Sequence, residues 1–190
     1  MHVVYGGAFN PPTVAHLEAY HFLKSRLPVK RFTYLPVSNA YTKSELASDY
    51  HRLNMLRLMI QGLEDVDISE LEMKDDSFKG TYQSLVRLSD DNVGTVAFVI
   101  GADNVPSLPR WKWAGSLLGE FKIIVLGRDG IDVNALIERD AFLQKYRDNF
   151  IIFNDFNSPV SSTEYRRTMN ADMIHTAVRQ YIEEHDLYMR

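Results

Sequence analysis

Two stretches of the chain bring together residues able to handle phosphate. The first, Gly6-Gly7-Ala8-Phe9-Asn10-Pro11-Pro12-Thr13-Val14-Ala15-His16, lies between a short apolar run and an amphipathic one. Main-chain N–H groups bared by a glycine turn, together with the positive end of a following helix, hold an anion with little further machinery. Thr13 and His16 are three residues apart, so on a first helical turn their side chains share a face and lean toward its N-terminus. That sets a hydroxyl and an imidazole beside the phosphate cradle. The P-loop ending in Gly-Lys-Ser/Thr and the G-x-G-x-x-G pattern are both missing, which excludes the two commonest nucleotide fingerprints. Glycines alone are equally those of an ordinary tight turn, and it is the placement of His16 that favours chemistry.

The second stretch is Val160-Ser161-Ser162-Thr163-Glu164-Tyr165-Arg166, which follows Pro159 and reads as a helix start with hydroxyls able to cap it. A plain cap accounts for it. So does a second anion site, with free N–H groups, hydroxyls and a guanidinium one turn on. Between the two stretches lie Gly101-Ala102-Asp103 and Trp111-Lys112-Trp113. An aspartate just past a strand can accept ribose hydroxyls or hold a metal, and a tryptophan offers a flat face for a heteroaromatic ring or belongs to the core. Lys43, Arg52 and Arg128 add positive charge near loops or helix starts, where plain surface solvation also accounts for them. His21 is off the Thr13/His16 face, and His2, His51, His175 and His185 are scattered, so no zinc site is expected.

These groups need elements to position them. Val3–Tyr5 reads as a buried strand stopped by Gly6-Gly7. Thr13–Leu27 reads as a helix with Leu17, Tyr20, Leu23 and Leu27 on one face and Pro28 ending it. Strands are predicted at Phe32–Val37, Val66–Met73 (with a slip at Ser69-Glu70), Thr95–Ile100, Phe121–Leu126 and Phe150–Phe153. Helices are predicted at Asp49–Leu63, Tyr82–Leu88 and Asp172–Asp186. Alternation of strand and helix implies an α/β fold: a doubly wound, mostly parallel, Rossmann-like sheet with helices on both faces, binding ligands beyond the carboxyl ends of its strands. The glycine turns that close strands mark that edge. No repeat or linker divides the 190 residues, so one domain, 1–190, is expected.

Composition narrows the function further. With 45% hydrophobic and 24% charged residues the chain is neither disordered nor of low complexity. A net charge of −4 gives no overall field for a nucleic acid or an anionic membrane, so neither partner is expected. Zero cysteines remove disulfides, thiolate metal sites and cysteine nucleophiles. The N-terminus lacks a signal-peptide pattern and no apolar run spans a bilayer; a cytoplasmic location is expected, and a homo-oligomer is left open.

With these residues assembled, the sequence resembles the nicotinate and nicotinamide mononucleotide adenylyltransferases of the nucleotidyltransferase superfamily. Gly6-Gly7-Ala8-Phe9-Asn10-Pro11 with Thr13 and His16 is similar to their first motif, and Ser161-Ser162-Thr163 with Arg166 to their second, S-S-T-x-x-R. Thr13 stands where many bacterial members have histidine, Ala15 where glycine is usual, and Gly80 where tyrosine is common. The resemblance implies that His16 and Thr13 are catalytic. It implies that Gly6, Gly7, Ala8, Phe9, Gly101, Asp103, Arg128, Ser161, Ser162, Thr163 and Arg166 serve ATP. Asn10, Lys43, Arg52, Thr81 and Trp111 serve the mononucleotide, Trp111 by stacking on the pyridine ring.

The implied reaction is adenylyl transfer from ATP to nicotinate mononucleotide, giving the deamido dinucleotide and pyrophosphate. The nucleophile is already an anion, so alignment and neutralisation of charge carry the catalysis. Mg²⁺ is expected as a cofactor held through substrate phosphates, with no protein metal cage. The alternatives are a nicotinamide or dual-specificity enzyme, another nucleotidyltransferase of the superfamily, a nucleotide-binding regulator without turnover, and a nucleic-acid-binding module. Trp111 and the Lys43 segment argue against the other transferases, and His16 with Arg166 against the regulator.

Overall fold

The computed structural model describes residues 1–39, 46–74, 79–89 and 94–189. Among them six strands form one parallel sheet: β1 (His2–Gly7), β2 (Arg31–Pro36), β3 (Val66–Ile68), β4 (Val96–Gly101), β5 (Lys122–Leu126) and β6 (Phe150–Phe153). Their order is β3-β2-β1-β4-β5-β6, the doubly wound arrangement that the alternation of strand and helix predicts. The helices are α1 (Val14–Arg26), α2 (Asp49–Met59), α3 (Leu71–Lys74), α4 (Thr81–Leu88), α5 (Ala114–Glu120), α6 (Val133–Arg139), α7 (Ala141–Gln144), α8 (Ser162–Thr168) and α9 (Thr176–Glu184).

The apolar strands are covered on both faces because successive side chains point to opposite sides. Val3, Ala97, Val99, Ile124 and Leu126 face a layer that holds Leu23 of α1, Met55 and Leu56 of α2, and Val178 and Ile182 of α9. Val4, Phe98, Ile100, Ile123 and Val125 face the opposite layer, with Leu85 of α4, Leu117 and Leu118 of α5, and Ile137 of α6. Each such fully buried aliphatic side chain is worth roughly 1.5–3 kcal/mol.

Four expectations change. Val66–Met73 is not one strand: β3 stops at Ile68, and Ser69 Oγ accepts the Leu71 N–H to begin α3. The slip at Ser69-Glu70 is the change of element. The Asp49–Leu63 helix ends at Met59, before Gly62 in a left-handed conformation (φ 83°). The Asp172–Asp186 helix is interrupted: a 3₁₀ turn at Ala171–Met173 precedes α9. Finally Ala102–Arg110, α5, α6 and α7 fill stretches for which the sequence reading assigned no element.

Candidate active site

The strand order reverses between β1 and β4, and a sheet of this kind opens its binding crevice at that point. β1 ends in Gly6-Gly7 and β4 in Gly101. A Cβ on Gly6 would lie 2.6 Å from the Phe98 ring, and one on Gly101 would lie 2.5 Å from Asp103 Oδ1. Glycine at these positions therefore lets the two strand ends close up and leaves Asp103 its place.

His16 sits in the first turn of α1, where its ring folds back on the helix start. The Thr13 N–H donates to His16 Nδ1 at 2.9 Å, with the Thr13 hydroxyl at the same distance. This is the geometry of a capping box with histidine in place of the usual glutamate. Because Nδ1 accepts a main-chain N–H, the ring proton resides on Nε2. Phe9 packs edge-on against the imidazole at 5.0 Å between ring centroids, and Tyr5 lies at 5.7 Å. Burial among these rings pushes His16 down to about 4, and the Arg128 charge acts in the same direction. The imidazole is neutral at pH 7. It can offer a hydrogen bond from Nε2.

Two cavities meet at this histidine. One, of about 340 Å³, runs from Gly6 and Gly7 to Thr81 and Trp111; the other, of about 300 Å³, runs from Gly127 to Ser161, Ser162 and Thr163. Tyr5, His16, Gly101, Asp103 and Arg128 line both. Ligands filling the two cavities would face each other across this shared wall. The Trp111 indole is held in place by its Nε1–H, which donates to Ser107 Oγ at 2.9 Å, and by an edge contact with Phe98.

A fold with these motifs has relatives. The cytidylyltransferase-like family model matches residues 4–168. A protein of Acholeplasma laidlawii named "probable nicotinate-nucleotide adenylyltransferase" is 35% identical over 99% of this chain and 97% of its own length. The chain belongs to this adenylyltransferase family. A relative from Caldicellulosiruptor bescii with the same name is 28% identical over 98% of both chains. The nicotinic acid mononucleotide adenylyltransferase of Plasmodium falciparum, in complex with NaAD, superimposes with a TM-score of 0.76 over 98% of this chain and 96% of its own; at 20% identity this shows the shared fold.

The family's motif residues divide into those that face the cavities and those that stand behind them. Gly6, Gly7, Gly101, Asp103, Arg128, Thr81, Trp111 and the Ser161–Thr163 turn face them. Thr13 is fully buried and meets His16 through its N–H, behind the cavity wall. Phe9 is buried with φ 48° and forms the aromatic backing of His16. Arg52, expected to touch the mononucleotide, is instead fully buried. Its guanidinium donates to the carbonyls of Ala8, Val37 and Ala47 and to the side chains of Asn39 and Asp49. Asn10 is likewise buried and committed to protein partners. Ala8 meets Arg52 through its carbonyl, and Arg166 Nη1 donates to the Asn10 carbonyl at 2.5 Å. Ser161 Oγ caps α8 by accepting the Glu164 N–H. Lys43 lies outside the described residues.

Sequence reasoning missed Tyr5 and Glu72. Tyr5 precedes the glycines directly, so its place at a strand's carboxyl end was the available signal. Glu72 is buried, lines the Trp111 cavity and accepts the Ser84 hydroxyl at 2.6 Å; nothing in its sequence surroundings marked it.

Proposed function

We propose that this chain transfers the adenylyl group of ATP to nicotinate mononucleotide, forming the deamido dinucleotide and pyrophosphate on the route to NAD. The observation that carries the reading is the wall of His16, Asp103 and Arg128 shared by two cavities of substrate size. A pyridine ring against Trp111 and a triphosphate against Ser161–Thr163 would bring a mononucleotide phosphate and the α-phosphate of ATP together at that wall. A phosphate oxygen of the mononucleotide attacks the α-phosphorus, the bond from that phosphorus to the bridging oxygen breaks, and pyrophosphate leaves with its electron pair. No proton has to be removed from the nucleophile.

His16 Nε2–H donates to an α-phosphate oxygen as charge gathers there, and Arg128 supplies the positive charge that a neutral imidazole lacks. Ser162 and Thr163 receive the departing pyrophosphate, while Arg166 shapes the cradle from behind. Mg²⁺ fits as a guest of the substrate. Among the described residues no three His, Asp or Glu side chains converge on a metal, and Asp103 is a carboxylate that faces both cavities. Carried in with the substrate phosphates and held beside Asp103, the ion would supply charge neutralisation. Among the described residues no helix is long and apolar enough to cross a membrane, and a cytoplasmic location belongs to the same reading.

The test is pyrophosphate release with ATP and Mg²⁺, nicotinate mononucleotide against nicotinamide mononucleotide at matched concentration. Preference for the nicotinate form supports the reading. Equal or reversed preference moves it to a dual or nicotinamide enzyme, and no release with either overturns it.

A further inference from the structure

The phosphate-binding loop between β1 and α1 is held by side chains from several distant elements. Arg52 of α2 takes the Ala8 carbonyl at 2.6 Å, Ser162 of α8 takes the Pro11 carbonyl at 2.8 Å, and Arg166 takes the Asn10 carbonyl. The Asn10 side chain is pinned differently. Its Oδ1 accepts two donors, the Ala47 N–H at 2.9 Å and the Tyr188 hydroxyl at 2.8 Å. Its Nδ2 is buried and has no hydrogen-bond partner among the described residues, so those two bonds hold the amide.

Tyr188 is unusual in its own right. Its backbone lies in the left-handed region at φ 63°, a conformation that costs a non-glycine residue of order 1–2 kcal/mol and persists only where surroundings enforce it. Its ring packs edge-on against Tyr165 at 6.3 Å. Burial raises its ionisation well above the ordinary tyrosine value, with Arg166 and Arg52 pulling the other way. The hydroxyl therefore stays protonated and remains a donor.

We propose that Tyr188 is a positioning residue for adenylyl transfer: its hydroxyl, through Asn10 Oδ1, fixes the phosphate-binding loop against the segment that leads into α2. It touches neither substrate. Removing the hydroxyl leaves the ring in place and the Asn10 amide held by the Ala47 N–H alone, and the loop that carries the cradle relaxes by a fraction of an ångström. Misplacements of that order near reacting groups lower the rate of the chemical step. The inference rests on the adenylyl-transfer reading, so its test includes a readout that needs no turnover.

The variants are Tyr188→Phe, Asn10→Ala and the double substitution, in the full chain. In Tyr188→Phe, kcat for pyrophosphate release is expected to fall about tenfold, with KM for ATP and for the mononucleotide changed less than about threefold. Thermal unfolding should stay within a few degrees, since packing against Tyr165 is retained. In the Asn10→Ala background the same substitution should have no further effect on kcat, because the hydroxyl then has nothing to hold. Independently of activity, amide hydrogen exchange at Ala8, Phe9, Asn10 and Thr13, the residues of the loop that carry an N–H, should quicken several-fold in Tyr188→Phe while the sheet is unaffected. Unchanged exchange in that loop, a kcat within twofold of the unmodified protein, or effects of the two substitutions that simply multiply would each overturn the proposal. An unmodified protein that releases no pyrophosphate overturns the adenylyl-transfer reading instead, and the exchange experiment still decides whether Tyr188 holds the loop.

Discussion

The main-chain N–H of Thr13 donates to Nδ1 of His16 at 2.9 Å, and this one bond dictates that the face of the imidazole turned away from the helix carries the proton. The helix start thus aims a donor while it satisfies one of its own free N–H groups.

His16→Ala removes that donor from the wall between the two cavities. Loss of one aligned donor to a developing oxyanion costs about 10²–10³ in kcat, and KM should change little. Steady-state pyrophosphate release with parallel thermal unfolding checks this; a kcat near that of the unmodified protein would remove His16 from the chemistry.

The lowered ionisation of His16, at about 4, has a defined sign. The unfolded chain takes up the proton near pH 6.5, well before the folded one does, so falling pH favours unfolding across that interval. The stabilising contribution is complete above about pH 6.5 and is lost progressively down to about pH 4. His16→Asn should flatten this part of the stability profile, and the ring proton signals of His16 should not titrate between pH 8 and pH 5.

Trp111→Ala should act on the mononucleotide. Stacking on an aromatic side chain is worth about 1–3 kcal/mol, which corresponds to a rise in KM of roughly 5- to 150-fold. KM for ATP should remain near its original value, and a rise confined to ATP would place the pyridine elsewhere.

Arg52→Ala tests whether this guanidinium serves the scaffold or the substrate. Stripping a fully buried guanidinium from the Ala8, Val37 and Ala47 carbonyls and from Asp49 leaves buried acceptors and a charge uncompensated, a loss of about 3–5 kcal/mol. Denaturant unfolding should show it. A variant of undiminished stability with a higher KM for the mononucleotide would restore the contact with substrate.

Two glycine replacements should separate site from scaffold. A Cβ on Gly101 meets the Asp103 carboxylate at 2.5 Å, so Gly101→Ala should lower turnover while sparing stability. A Cβ on Gly127 meets the carbonyls of Phe156, Asn154 and Phe153 at 2.8–3.1 Å. Those are main-chain atoms with little freedom, and Gly127→Ala should destabilise by about 1–3 kcal/mol.

Much of this architecture is legible before any coordinates. The apolar runs ending at Gly6, Gly101 and Gly127 are strands whose ends carry the site, because a doubly covered parallel strand must be apolar throughout and its exit must turn sharply. His16 is legible for a similar local reason, its spacing from Thr13. Other features are not local. Val66, Ile68, Leu71 and Met73 alternate as in a strand, yet a serine hydroxyl diverts the chain into a helix after Ile68. α6 spans seven residues and α7 four, too few turns for a clear period. The mononucleotide role of Arg52 is implied by the resemblance alone, and its surroundings in the sequence suggest no more than a solvated surface charge. That its charge is fully enclosed by carbonyls from three separate segments is a property of the tertiary fold.

The contacts that close the loop between β1 and α1 also order events in time. Ser162 reaches Pro11 across 151 positions, Arg166 reaches Asn10 across 156 and Tyr188 reaches it across 178. At a synthesis rate of about 5–20 residues per second, roughly 10–35 s separate the making of Asn10 from that of the tyrosine that holds it. A nascent chain therefore makes the loop between β1 and α1 first and closes it last.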